Sequence, residues 1–350
     1  MFSLLRAGLW EREPDDLSPF PLTDAQWWNV YRMAVRQTVT GIVCRGLHHL
    51  PEALLPGDAL MIRWVAETDR IERKNRRMDA VVCLLAQRMG RNGLHPVLLK
   101  GQGVAAFYEH PLTRECGDID LCFLSEEEER EAAELMRRVG CRTEKQPDGS
   151  NCYSWQGVEV EHHTRLFDLH NPLLKVYLSA LVREHGFTEF RPGGRDGLPE
   201  GNQSGEFPAT ISVPSPLPNL LLLNAHLLKH LLGHGVGLRQ FCDMARAYHT
   251  LCGSYSPEGL EAVYRRTGLH RAELPYADTD ACSSPELLRI VLEGGNFGQY
   301  GGTKGKASQA RWERKLRTFL SFWKHRGFSS AYARKEAFWI SVRLIIGNLR

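Results

Sequence analysis

The stretch Gly117-Asp118-Ile119-Asp120-Leu121 limits what this chain can fold into more than any other. Two carboxylates alternate with apolar residues. A strand sends successive side chains to opposite faces, so Asp118 and Asp120 share one face while Ile119 and Leu121 point into a core. Two parallel carboxylates repel each other. They are tolerated where a divalent cation lies between them, and Mg²⁺ is held by one or two carboxylates plus substrate phosphates. Downstream, Val158-Glu159-Val160-Glu161 repeats the alternation. A third carboxylate from that strand, Glu161 or else Glu159, completes a seat suited to phosphoryl or nucleotidyl transfer. The plain structural alternative is that the two aspartates cap a turn.

The 350 residues leave room for two or three domains, and 43% hydrophobic with 24% charged residues is the balance of an ordinary globular protein. The nine cysteines show no CxxC and no zinc-ligand spacing, which fits a reducing cytoplasm better than a disulfide scaffold. The start, Met1 to Arg6, has no sustained apolar run of the signal-peptide kind. No apolar run reaches ~18 residues, so no membrane span is expected. The net charge of +3 hides an asymmetry: residues 301–350 hold 12 Lys/Arg against two acidic residues, +10, which leaves −7 for residues 1–300. That basic tail, interleaved with aromatics such as Phe319, Trp323 and Tyr332, suits either stacking on RNA or packing onto an acidic body. Packing is the reading adopted.

The chain order suggests an α+β fold, a small mixed β-sheet flanked by N-terminal and C-terminal helical regions. Residues 1–92 form the first helical region, residues 93–214 the α/β core with a Gly-rich loop at 192–206, and residues 215–350 the second helical region with the basic tail. A capping box at Thr23-Asp24-Ala25-Gln26 opens a helix expected to run to about Leu47. A second long helix runs from about Gly57 to Arg91, with Gly93 as its stop. Strands follow at His95–Leu99, Asp118–Phe123, Cys141–Lys145, Cys152–Trp155 and Val158–His163, with a helix opened by Ser125 and its acidic run. Pro147-Asp148-Gly149-Ser150 reads as a turn. Further helices are expected at Asn219–Leu232, Gly237–Leu251, Pro257–Thr267, Pro285–Leu292 and, in pieces, Ala307–Leu349.

Several pieces together carry a resemblance: Leu99-Lys100-Gly101, Tyr108, Pro111, Arg114, Gly117-Asp118-Ile119-Asp120-Leu121, Val160-Glu161-His162-His163-Thr164-Arg165-Leu166 and Gly237-Leu238-Arg239-Gln240-Phe241-Cys242-Asp243. In this order the chain resembles the DNA polymerase β-like nucleotidyltransferase superfamily. It is more closely similar to an uncharacterised bacterial nucleotidyltransferase family often found near polysaccharide genes. The resemblance implies that Asp118, Asp120 and Glu161 are catalytic and hold the metal, two Mg²⁺ with Mn²⁺ as an alternative. It implies that Glu161 orients or deprotonates the acceptor, where family members more often carry Asp-Leu-His-Trp. It also implies nucleotide-binding roles for Lys100, Gly101, Arg114, Arg239 and His230.

The activity implied is transfer of an NMP from an NTP to an acceptor hydroxyl or phosphate. A small-molecule or glycan-related acceptor is favoured over RNA. The alternatives are a toxin-like enzyme that modifies tRNA, a glycosyltransferase using Asp-x-Asp, and a non-catalytic nucleotide- or partner-binding module. His226, His230 and His234 recur every four residues, a spacing open to metal binding, to lining a nucleotide cleft, or to plain packing.

Overall fold

The longest helix, α4 (Asp58–Gly90), organises the fold around it. Its apolar positions recur at helical spacing, and Met78, Val81, Val82, Leu85 and Met89 form a stripe that is buried against a sheet. The protein was described from a computed structural model, which covers residues 1–146, 149–193, 210–233, 236–269, 292, 335–336 and 338–340. The chain divides into two compact units. The first comprises Met1–Val35, Val39–Leu166 and Phe187–Ser215, and the second Arg36–Thr38, Phe167–Gly186 and Pro216–Arg350.

In the first unit α1 (Phe2–Trp10), α2 (Asp24–Arg36), α3 (Thr40–Leu47) and α4 precede β1 (Val97–Leu99), α5 (Gly101–Ala105), β2 (Ile119–Cys122) and α6 (Glu126–Arg138). Then come β3 (Glu144–Lys145), β4 (Asn151–Trp155), β5 (Val158–His163), β6 (Phe187–Phe190) and β7 (Ile211–Pro214). The seven strands lie in the order β3-β4-β5-β2-β1-β7-β6. β2 runs antiparallel to β1 and parallel to β5, so the sheet is mixed as expected. Ile119, Leu121, Val158 and Val160 face α4 and α6, where Ala132 and Met136 complete the core. Each fully buried Ile, Leu, Val or Met side chain among them contributes about 1.5–3 kcal/mol of hydrophobic stabilisation. Alternation leaves Asp120, Glu161 and His163 on the other face.

The N-terminus of α6 is as expected: the Ser125 hydroxyl accepts from Glu128 N at 3.0 Å, and the acidic run lies in the first turn. Glu129, however, turns inward instead of staying wet, and lies 3.4 Å from His162 Nδ1. The helix expected from residue 23 to 47 is two helices, because Thr38 adopts a left-handed φ of 54° between α2 and α3. The sheet is also wider than expected, since the sequence reading assigns no strand to β6 or β7, which flank the Gly-rich stretch. They pair antiparallel on either side of the Gly-rich segment, of which residues 194–209 lie outside the described residues.

The segment that leads into β2 is held by its backbone. Asn75 of α4, 3% exposed, donates from Nδ2 to the carbonyl oxygens of Leu112 at 2.6 Å and Arg114 at 2.9 Å. One turn-step away, Lys74 Nζ donates to the carbonyl oxygens of Cys116 at 2.7 Å and Gly117 at 3.2 Å. A side chain at Gly41 of α3 would collide with the Thr113 carbonyl oxygen, so α3 packs directly on the same segment. Buried carbonyls without partners cost free energy, and these contacts fix the path of residues 112–117.

The second unit contains α7 (Lys175–His185), α8 (Pro216–Gly233), α9 (Leu238–Leu251) and α10 (Pro257–Thr267). α8, α9 and α10 fall where the sequence places helices. The N-terminus of α9 is capped by a distant side chain, as Gln37 Oε1 accepts from Leu238 N at 3.0 Å. Of the helices expected at Pro285–Leu292 and Ala307–Leu349 only residues 292, 335–336 and 338–340 are described, so most of the basic tail lies outside the described residues, as do Pro147 and Asp148 of the expected turn.

Two outcomes follow. Asn75→Ala leaves two carbonyls with a lost donor, and should lower stability in chemical denaturation by about 1–3 kcal/mol; an unchanged midpoint would show that the segment is held by other means. Burial of Asp79, also on α4, raises its carboxyl to about 7. The native state therefore binds a proton more tightly than the unfolded state, and stability falls as pH rises from about 4 through 7. Asp79→Asn should gain on the parent protein across that window, then hold a constant advantage of roughly 2–4 kcal/mol above it. A pH-independent difference in thermal stability would refute this.

Candidate active site

Asp120 is the centre of the charged face. In β2 it stands opposite Leu99 of β1 on one side and Glu161 of β5 on the other. Direct neighbours across a parallel pair project to the same face, so the register brings Asp120 and Glu161 together. His163, two residues beyond Glu161, lies on that face too. Its Nε2–H donates to Asp120 Oδ1 at 2.8 Å, and Nε2 is 3.5 Å from Glu161 Oε2. One ligand atom from each of Asp120, Glu161 and His163 lies within 4.8 Å of the others, and among the described residues no other such group of three occurs.

The other oxygen of Asp120 meets a lysine: Lys100 Nζ lies 3.3 Å from Oδ2. Lys100 ends β1 with φ 50° and ψ −141°, a conformation open to glycine and costly for any residue with a Cβ. Gly101 follows with φ 45°, and a Cβ there would stand 3.5 Å from the Asp118 carbonyl oxygen. The two residues thus turn the chain sharply at the sheet edge of the acidic group. Asp118 precedes β2, is half-buried, and stands outside the group of three, yet its charge acts on Glu161.

The electrostatics follow from this crowding. Burial raises the pKa of Glu161, and the charges of Asp120 and Asp118 raise it further, against smaller opposing effects of His163 and Lys100. Burial alone would lower the pKa of His163, but the hydrogen bond and charge of Asp120 outweigh it, and the net shift is upward. Behind the strand the balance is reversed. His162 is fully buried and its pKa is lowered by burial despite Glu129, while its Nε2 lies 2.9 Å from the Tyr153 hydroxyl.

The remaining residues expected at the site fall as follows. Glu159 shares the face of Glu161 but lies two residues earlier, accepting from Cys152 Sγ at 3.5 Å. Arg114 is buried, and its Nη1 donates to Cys116 Sγ at 3.3 Å within the segment clamped by α4. Arg239 and His230 are buried in helices of the second unit. There His230 Nε2 lies 3.1 Å from His226 Nε2, His226 Nδ1 is 3.5 Å from Asp168, and Lys229 Nζ is 3.1 Å from Asp168. His234 lies outside the described residues. His163 was not singled out from sequence, though its spacing from Glu161 places it on the same face by simple alternation.

Over residues 23–278 the chain matches the family described as uncharacterised nucleotidyltransferase. The chain belongs to that family. No curated protein matches it. Among solved structures it is similar to an antigenic nucleotidyltransferase-like protein from Paracoccidioides brasiliensis, with 14% identity and a TM-score of 0.34 over 61% of this chain and 93% of that one. A likeness that slight carries no weight beside the family membership. Within the family segment lie the whole sheet, Lys100, the carboxylates and His163. Among the described residues no helix is long and apolar enough to cross a membrane.

The left-handed backbone at Lys100 gives a test of the geometry. Lys100→Ala removes the ammonium and keeps the strain, whereas Lys100→Gly removes both. The glycine variant should be the more stable of the two by about 1 kcal/mol in thermal unfolding, contrary to the usual cost of glycine. Equal or reversed stabilities would mean that the chain at this turn relaxes to an ordinary conformation.

Proposed function

We propose that this nucleotidyltransferase-family protein is a cytoplasmic enzyme that moves an NMP from an NTP to an acceptor hydroxyl or phosphate. Asp118, Asp120 and Glu161 would hold the divalent cation, Mg²⁺ or Mn²⁺. The observation that carries this reading is the direct cross-strand pairing of Asp120 with Glu161 on one face of the sheet. The donor set suits a divalent ion: carboxylates crowd at a half-buried position, where burial first and the charges of Asp120 and Asp118 second raise the proton affinity of Glu161.

When bound, the cation would polarise the α-phosphate and stabilise the leaving pyrophosphate. The protein's own residues supply the rest. Glu161, beside the ion, is placed to orient or accept the proton of the attacking hydroxyl. Lys100, fixed by the strand end, offers an ammonium to a phosphate oxygen beside Asp120. Gly101, without a side chain, leaves the backbone open to close approach. Arg114 is proposed as a further nucleotide-binding cation. Arg239 and His230 are proposed as nucleotide contacts on the resemblance of their segments alone, with no geometry attached.

The acceptor is proposed to be a small molecule or a glycan-related compound. RNA is the competing acceptor, and the +10 charge of residues 301–350 is the feature that favours it. An RNA contact of several phosphates would lose affinity steeply with salt, by a slope of roughly −0.7 per phosphate for a single strand.

The test is incubation with each α-labelled NTP and a divalent cation beside RNA, protein and small-molecule pools. Asp120→Asn should lose label transfer by ~100-fold or more while the protein stays folded. A folded Asp120→Asn variant that still transfers label would remove the acidic face from the mechanism. Tight, salt-sensitive RNA binding by the parent protein would replace the small-molecule acceptor with RNA.

A further inference from the structure

We propose that His163 is itself a ligand of the cation, so that the seat is a mixed nitrogen–oxygen one that takes Mn²⁺ in preference to Mg²⁺. The proposal rests on the nucleotidyl-transfer reading above, and adds to it which ion the chain selects and which side chain does the selecting.

The geometry points there from three sides. First, ligands in neighbouring positions of an octahedral sphere with bonds of about 2.1 Å stand about 3 Å apart. His163 Nε2 is 2.8 Å from Asp120 Oδ1 and 3.5 Å from Glu161 Oε2, and the three donor atoms lie within 4.8 Å of one another. The imidazole nitrogen thus stands close to a neighbouring-ligand distance from each of the two carboxylates. Second, Asp120 has its two oxygens divided between two tasks. Oδ2 lies 3.3 Å from Lys100 Nζ, and Oδ1 faces His163. The ammonium therefore directs the ion toward the oxygen beside the imidazole. Third, Asp120, Glu161 and His163 all sit on paired strands, with Asp120 in register with Glu161 and Cys122 in register with His163. A seat built on strands needs little rearrangement on binding.

The donor set then decides the ion. Mg²⁺ prefers oxygen ligands in a near-ideal octahedron and keeps its waters. An imidazole suits the first-row transition ions, and two carboxylates beside it suit Mn²⁺, which also leaves positions for phosphate oxygens. Ligation through Nε2 requires that the proton it now donates to Asp120 leave that nitrogen, to Nδ1 of the same ring or to solvent, so that its lone pair faces the ion.

The experiment uses the full-length protein with Mn²⁺ alone, without nucleotide, followed by pulsed electron paramagnetic resonance. The expected spectrum shows a directly coordinated imidazole nitrogen. Growth with ¹⁵N-histidine should change that coupling from the ¹⁴N to the ¹⁵N pattern, which needs no substitution and so no assumption about folding. In competition, Mn²⁺ should resist displacement by a large excess of Mg²⁺. A folded His163→Gln variant should lose the nitrogen coupling and about tenfold or more of the Mn²⁺ preference. Asp120→Asn should lose both the bound ion and the coupling. Mn²⁺ that binds through Asp120 without nitrogen coupling, or coupling that survives His163→Gln or Asp120→Asn, would overturn the proposal while leaving the nucleotidyl-transfer reading in place. A protein that binds no divalent ion through Asp120, even with an NTP present, would overturn both.

Discussion

A nearly buried carboxylate needs positive charge near it, and Asp120 has two sources within its own unit. Lys100 approaches one oxygen and His163 the other. Without them the crowding of Asp120 with Glu161 and Asp118 would cost several kcal/mol in a site of reduced dielectric. The rest of the first unit can be traced from this arrangement. Lys100 reaches Asp120 because the chain turns at a left-handed lysine as β1 ends, and His163 reaches it because β5 lies parallel and in register with β2. A sheet that carried the same residues one position out of register would place a carboxylate in the apolar core instead.

The second structural requirement is the course of the chain into β2. Asp118 lies at the end of a segment with little regular structure of its own, and such segments are usually the least fixed parts of a fold. Here α4 supplies side-chain donors to the carbonyls of Leu112, Arg114, Cys116 and Gly117. The helix thus has two faces with two tasks: an apolar stripe that packs on the sheet, and a polar edge that fixes the approach to the acidic group. This explains why so long a helix precedes so small a sheet.

Much of this could be read from the sequence. Period-two alternation around Asp120, and again around Glu161, was sufficient to place both strands and to set each of these two carboxylates on the face away from the apolar residues. The cap at Ser125 and the length of α4 were readable for the same local reasons. What was missed depends on contacts between residues far apart in the chain. β6 and β7 are four residues each, separated by a Gly-rich segment, and β7 joins β1 only through tertiary pairing. The break between α2 and α3 carries no proline or glycine, and only the left-handed Thr38 reveals it. α7 went unread although Pro172 before it and Gly186 after it are ordinary boundary signals. The position of His163 beside Asp120 depends on which residue of β5 faces which residue of β2, and a single sequence does not state that register.

The two adjacent histidines of β5 have a consequence of their own. His162 lies between Phe123 and Tyr153 in the apolar layer, tilted against the first ring and edge-on to the second, whereas His163 faces the acid group on the other side. One strand's thickness therefore separates an imidazole whose charge is disfavoured from one whose charge is favoured. The strand acts as a partition between two solvents. The two rings are chemically the same, so the difference between them is set wholly by the side of the sheet that each one meets.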